Sequence, residues 1–531
     1  MWLLWTMTSL VAAAPPPGSE VESVPVVPAS RPADKAAPAP SEGSEVTSTP
    51  VDPSVTAPVN PSVGAPAEPE GRPDSDDVEL PMRPLLPPDG AALRPMVPLL
   101  ERDLVAPRSH PMGHGGATVG ISELGEDVFF ELNVGYIFQV GGWRIAPRLP
   151  LRLRIIDDAP EQAEVVRMED WDEPSDWARL LAFVQYGRVG DPIVFRYGEL
   201  SAVTIGHGAI VDRTFNTIDI DHYRGGAYFA GDAGFFGGEV YLDDVFRPEV
   251  LVGRAFLRPL TPLADAPLPV RGLKVAVTVG ADFSAPTAVD LGEGGLFATP
   301  EHYPRVLGDR ILPMFGFDLE FPVVGSPHVD VVPYVDLATL EFDTLGLHVG
   351  VITNVRFTGE SSLHTRLEYR FIGRDHEPGY VSPFYAVERY SFLGGQPKLA
   401  ALDDNDDRLG ASYHGVHLEA DLRIAGILHW AVVFGSSGRD RANDLMTRLK
   451  FPNLGPVRLT LFLARLGFAG LGDLFMADRT TAGIGVHVRI GDLFFVRGRI
   501  ANEWWLEHSD ARTHYETTFN WDVGGGLVIR L

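Results

Sequence analysis

The chain has 531 residues, of which 45% are hydrophobic and 10% aromatic, with 56 Gly, 45 Pro, no Cys and a formal net charge of −27. A mean hydropathy of +0.03 is too low for a bundle of membrane helices. The missing Cys excludes disulfides, thiolate metal sites and cysteine nucleophiles, and the acidic balance argues against nucleic-acid binding, since phosphate neutralisation needs basic patches.

Residues 1–14 run Trp2-Leu3-Leu4-Trp5, Met7 and Leu10-Val11, and end in Ala12-Ala13-Ala14. A short apolar run closing on Ala-x-Ala is what a signal peptidase reads, and it is too short to span a bilayer. No Lys or Arg precedes it, so a greasy N-terminal tail without an export role is the alternative. After residue 14 there is no 18-residue apolar stretch free of charge, so any membrane span must be made of strands.

Residues 15–115 read as a disordered, Pro-rich tether. Twenty-one prolines fall between Pro15 and Pro98, and no Phe, Tyr or Trp occurs from Ala14 to Val128. Such a segment cannot bury enough apolar surface to offset the entropy of ordering it. Short imperfect repeats, such as Gly18-Ser19-Glu20-Val21 returning as Gly43-Ser44-Glu45-Val46, mark low complexity rather than a solenoid. Over 15–126 there are 17 acids and 7 bases, a net of −10. The segment serves either to reach peptidoglycan or a periplasmic partner, or as a passive spacer.

From about residue 116 to the end, period-two alternation predicts strands. Phe130, Leu132, Val134, Tyr136 and Phe138 share one face against Glu131, Asn133 and Gln139. Trp143, Ile145, Leu149, Leu151, Leu153 and Ile155 oppose Arg144, Arg148, Arg152 and Arg154. The same pattern recurs with Phe315, Phe317, Leu319 and Phe321 against Asp318 and Glu320, and with Leu363, Leu367, Tyr369 and Phe371 against His364, Arg366, Glu368 and Arg370. Further runs lie near 273–282, 345–358, 416–424, 456–466 and 479–490. Most are longer than soluble strands and match the roughly 9–11 residues of a tilted membrane strand. One face carries too many charges for a dry core, so apolar outside and charged inside is the arrangement expected.

Tight turns at Gly141-Gly142, Gly190-Asp191, Gly359-Glu360 and Gly491-Asp492 alternate with long connections near 157–178, 205–225, 284–312 and 374–410. With a periplasmic N-terminus this phase needs one more upward strand before 127, which the weak run 117–121 supplies. The expected fold is all-β, an antiparallel transmembrane β-barrel of about 18 strands, in a range of 16 to 20.

At the C-terminus Tyr515, Phe519, Trp521, Val523, Leu527, Ile529 and Leu531 occupy alternate positions. Residues 515–531 thereby resemble the terminal strand of Gram-negative outer-membrane β-barrel proteins, which usually end in Phe where this chain has Leu531. The resemblance is one of porin-like architecture over roughly 117–531. It implies outer-membrane lipid as surroundings, recognition of 515–531 by the barrel-assembly machinery, and a passive channel for small polar solutes. A plugged structural or adhesive barrel and an outer-membrane hydrolase are the alternatives.

Candidate chemistry is sparse, and no catalytic residue, metal or cofactor is assigned. Gly206-His207-Gly208 with Asp212, Asp219, Asp221 and His222 is a His/Asp set that could ligate a metal or move protons, or simply form a polar rim. His110 and His114 stand four apart in a Pro/Gly-rich stretch that will not hold helical spacing. Asp403-Asp404-Asn405-Asp406-Asp407 lacks the Gly and distal Glu of an EF-hand and reads as a solvated acidic loop, as does Glu169-Asp170-Trp171-Asp172-Glu173. The alternation places Arg144, Arg148, Arg152, Arg154, Arg448, Lys450, Arg458, Arg489, Arg497 and Arg499 inward on the first and last strands. Glu239, Asp243, Asp282, Asp318, Glu320, Asp330 and Asp336 face inward on the middle ones. In a closed barrel these become a basic wall opposite an acidic wall, with a transverse field favouring polar or zwitterionic solutes. Local pairing of Arg with Asp and Glu in a plugged interior is the alternative.

Overall fold

A computed structural model describes residues 115–529 except 126, 158–163, 188–190, 217, 219–220, 264, 293–294, 300–302, 343, 358–360, 374–375, 393–394, 404–411, 437–442, 471, 476–478 and 510–511, and the side chains of 344, 503–517 and 529. The expected signal peptide, the tether as far as residue 114, His110, His114, the turn residues Gly190, Gly359 and Glu360, Asp219, Asp404 to Asp407 and Leu531 lie outside the described residues.

The alternating segments form strands that pair antiparallel with their neighbours. The first half of the wall is β1 (Gly115–Leu124), β2 (Asp127–Tyr136) continued by β3 (Phe138–Val140), β4 (Trp143–Ile156), β5 (Leu181–Tyr186), β6 (Ile193–Gly198), β7 (Gly226–Asp232), β8 (Phe236–Leu242), β9 (Val250–Leu257) and β10 (Lys274–Val289). A small hairpin of β11 (Leu291–Gly292) and β12 (Gly295–Phe297) stands outside the wall. The second half is β13 (Val306–Glu320), then β15 (Val329–Leu340) with the short β14 (Val324–Gly325) beside it, β16 (Thr344–Arg356), β17 (Ser362–Ile372) and β18 (Tyr413–Ile424). It continues through β19 (Leu428–Ser436), β20 (Asn443–Leu454), β21 (Val457–Phe468), β22 (Thr480–Ile490), β23 (Phe494–Ser509) and β24 (Arg512–Ile529).

Closure comes from β1, which pairs with β2 on one side and with β24 on the other, Gly115 opposite Ile529 and Ser122 opposite Asp522. The result is a closed antiparallel barrel of 20 strands. The count stands at the upper end of the expected range of 16 to 20, and β5 to β8, six or seven residues each, are the shortest strands of the wall. The weak segment 117–121 is part of β1, the strand required by the turn phase.

Side-chain direction follows the alternation. On β17 Leu367 is 54% exposed and Tyr369 50%, whereas Arg366 and Glu368 are at most 1% exposed. Likewise Phe317 faces out while Asp318 and Glu320 are buried inside. An outward apolar belt around inward charge is the inverse of a soluble core.

The chain enters β1 and leaves β24 at one rim. Connections at that rim are mostly tight, and Gly141 (φ 58) and Gly491 (φ 64) supply the left-handed conformation that two such turns require. The exceptions are 258–273, with a short helix at Leu268–Arg271, and 321–328. The opposite rim carries the long connections 157–180, 199–225, 290–305 and 373–412.

Candidate functional site

Between β6 and β7, loop 199–225 folds back as a small hairpin. Val203 and Thr214 exchange two backbone hydrogen bonds of 3.0 Å, and Ile205 N–H donates to the Val211 carbonyl at 3.1 Å. Its tip, Gly206-His207-Gly208, lies against inward side chains of β13 and β15. The His207 nitrogens lie 3.2 Å from Glu320, 3.4 Å from Asp336 and 3.9 Å from Asp318. The imidazole stacks on Tyr334 at 3.9 Å between ring centres. Arg366 of β17 donates to the His207 carbonyl at 2.7 Å and lies 3.4 Å from Asp212, while Arg213 pairs with Asp212 and reaches Glu419 at 3.2 Å. Burial opposes the charged imidazole, but Asp336, Glu320 and Asp318 outweigh it and push the His207 pKa up to about 9.

Loop 373–412 packs on the first. Val381 N–H donates to the Ile210 carbonyl at 3.0 Å, and Asp212 N–H to the Val381 carbonyl at 3.1 Å. Its helix Tyr385–Glu388 places Tyr385 as donor to Asp282, and the following Arg389 pairs with Glu249. Ile210, Val211, Tyr380, Val381, Leu399 and Leu402 form one apolar cluster with Val250, Val252, Leu312, Met314 and Leu340 of the wall. The inner face is thus not charged throughout, as the expected arrangement of apolar outside and charged inside would have it. Toward the long-loop rim the inward positions turn apolar because two loops fill that space.

The acidic wall divides into separate, locally balanced groups. Arg254 of β9 donates to Asp318 at 2.6 and 2.9 Å and reaches Glu320 at 3.1 Å and Glu239 at 3.4 Å. Lys274 of β10 also pairs with Glu320. Asp330 pairs with Arg356 at 2.6 Å and Asp243 with Arg224 at 2.9 Å. The ligand atoms of His207, Asp318 and Glu320 lie within 4.8 Å of one another, a metal-like spacing. Because Arg254 and Lys274 neutralise the same carboxylates, a cation there would have to displace them, and the trio reads as an anchor for the loop.

On the basic side, Arg152 and Arg497 both approach Glu131 at 3.6 Å, which joins β4, β2 and β23 across the closure. Arg148 pairs with Glu199, Arg154 with Asp127 at 2.7 Å, and Arg144 sits over the Phe183 ring. Arg499 lies over Phe462, while Arg458 and Arg489 occupy inward-parity positions nearer the tight-turn rim. In strand order these residues stand between about a third and just under half of the circumference from Asp318 and Glu320.

The other sequence candidates do not converge. Asp221 pairs with Arg167, His222 packs on Tyr303, and Asp403 accepts two 2.8 Å hydrogen bonds from Arg310. Glu169 to Glu173 is not a solvated acidic loop as expected. Asp170 is buried and accepts from Arg152 (2.7 Å), Arg167 (3.0 Å) and Arg179 (2.7 Å), because the loop turns into the barrel. Sequence reading missed Arg254, Glu249 and Arg389. Arg254 was findable, since Val250, Val252, Arg254 and Phe256 alternate on β9, whereas Glu249 and Arg389 lie in connections with no period to betray them.

At the long-loop rim two ribbons rise from opposite walls. The β23–β24 pair continues beyond the last β22 partner, Asn502, and the β10–β13 pair continues into β11–β12. They meet in a two-residue ladder, Leu296 opposite Thr513 and Phe297 opposite Arg512, which bridges the mouth.

No protein-family model matches the chain, and no curated protein matches its sequence. Solved structures with a similar course are outer-membrane barrels. Wzi, described as a carbohydrate-binding barrel involved in group 1 capsule assembly in Escherichia coli, is 10% identical over 79% of this chain and 85% of its own, at a TM-score of 0.32. Pseudomonas aeruginosa OccK10 is 9% identical over 78% of this chain and 98% of its own (TM-score 0.27). A mutant Rh. blastica porin is 8% identical over 78% and 98% (TM-score 0.24). Likeness at this level carries no argument, and the fold rests on the strand pairing itself.

Proposed function

We propose that the chain is a porin-like outer-membrane barrel that passes small polar solutes through a lumen narrowed by loops 199–225 and 373–412. The observation that carries this is the closed wall with apolar side chains outward and charged ones inward, which suits lipid outside and polar solute within. The tight-turn rim then faces the periplasm, residues 515–531 serve as the assembly signal, and the tether reaches toward peptidoglycan or a periplasmic partner. His207, faced by three carboxylates and Tyr334, holds a loop rather than a reacting group.

A second reading, a plugged structural barrel, is favoured by the apolar cluster that joins both loops to the wall. Planar-bilayer recording separates the two. Wild-type protein is expected to give small conductance steps, and replacing 380–403 by a short Gly-Ser linker should enlarge them several-fold. Silence from both proteins, with folding verified by the mobility difference before and after boiling, would leave the plugged barrel.

A further inference from the structure

Near its start, loop 373–412 places His376 beside His348 of β16. Both imidazoles are buried, His348 at 1% and His376 at 0% exposed. Their ring centres stand 6.2 Å apart with the planes at 82°, edge to face. Gly346 lies two positions before His348 on the same buried, inward face of β16. A Cβ there would lie 2.4 Å from His376 Nε2 and 3.2 Å from His348 Nε2. The two nitrogens therefore border one point, over a residue with no side chain to fill it.

The tautomer of His348 is set at its other nitrogen. Nδ1 lies 3.0 Å from Glu368, a carboxylate that also accepts from Tyr334 and Arg370, so Nδ1 is the N–H donor. Nε2 then carries the lone pair, and it has no hydrogen-bond partner among the described residues. A carboxylate behind one imidazole nitrogen, with the lone pair on the other, is how metal-ligating histidines are oriented. Asp336, directly opposite His348 in register, adds a second carboxylate nearby, which His207 approaches at 3.4 Å. At the His207 trio, Arg254 and Lys274 occupy the oxygens a cation would need. Here the donors are imidazole nitrogens rather than ion-paired carboxylates.

We infer that His348 and His376 hold a divalent cation of the zinc, copper or nickel class through their Nε2 atoms, with water completing its coordination. Paired imidazoles favour these ions over Mg²⁺ and Ca²⁺, which take oxygen ligands. The ion ties the start of loop 373–412 to β16, adding a fixed point to the contacts at Val381 and Tyr385. The site does not depend on whether the lumen conducts.

The test is copper binding by the full-length protein folded in detergent, read by electron paramagnetic resonance. Every protein compared carries His110→Gln and His114→Gln, which removes the histidine pair of the tether as a competing site. About one Cu²⁺ per chain should bind with hyperfine splitting from two nitrogens, and Zn²⁺ should displace it. His348→Gln or His376→Gln should abolish that signature. Gly346→Ala should abolish it with both imidazoles retained, because the added methyl group runs into His376 Nε2. Folding of each variant is checked by the mobility difference before and after boiling. An unchanged two-nitrogen signal in folded His376→Gln or Gly346→Ala, or no such signal in the parent protein, overturns the inference.

Discussion

At the scale of single residues, parity was enough to place side chains and not enough to pair them. Arg148, Arg152, Asp318 and Glu320 face inward as the period of two requires, yet their partners come from Glu199, Asp170, Arg254 and Lys274, on loops or strands far away in sequence. His207 shows why, since its three carboxylates lie more than a hundred residues along the chain. Its ordinary pKa near 6.5 rises to about 9 in the folded state. Folding therefore binds a proton that the unfolded chain gives up earlier. The stabilisation is fully present below about pH 6.5 and is lost as pH rises through about 9. A shift of that size corresponds to about 3 kcal/mol. Urea unfolding in detergent should show His207→Gln less stable than wild type at pH 6, with the gap closing by pH 9 to 10. A gap independent of pH would mean that His207 acts through packing on Tyr334 alone.

At the scale of elements, long strands were legible and short ones were not. β4, β13, β17 and β18 announce themselves because each contains seven or more strictly alternating residues, as in 143–155, 315–321, 363–371 and 416–424. β5 to β8 are too brief, and the inward course of 199–225 and 373–412 depends on contacts that no local pattern encodes. The mouth bridge belongs to the same class, since β12 and β24 lie far apart in sequence and meet only after closure. Paired antiparallel positions have Cα atoms close enough for a disulfide. With no native Cys to compete, Leu296→Cys with Thr513→Cys should oxidise to one internal crosslink, detected as faster migration of the unfolded chain without reductant. Failure to crosslink in folded protein would show that the two ribbons do not meet.

At the scale of the molecule, the account depends on which face of the wall meets lipid. The closed barrel follows from strand pairing, and its orientation toward lipid from side-chain chemistry: Ile484, Val486 and Ile490 point out of β22 while Gly485, His487 and Arg489 alternate with them. A Cβ at Gly485 would meet nothing within 4 Å, so even that position takes a probe without disturbing the wall. The Cys-free chain permits spin labels one at a time on Ile484→Cys, Gly485→Cys, Val486→Cys, His487→Cys, Arg489→Cys and Ile490→Cys in reconstituted vesicles. Collision with oxygen dissolved in lipid should be high at 484, 486 and 490 and low at 485, 487 and 489. Loss of that alternation, or ready access of a water-soluble nickel chelate to 484 and 486, would contradict a barrel that sits in a membrane.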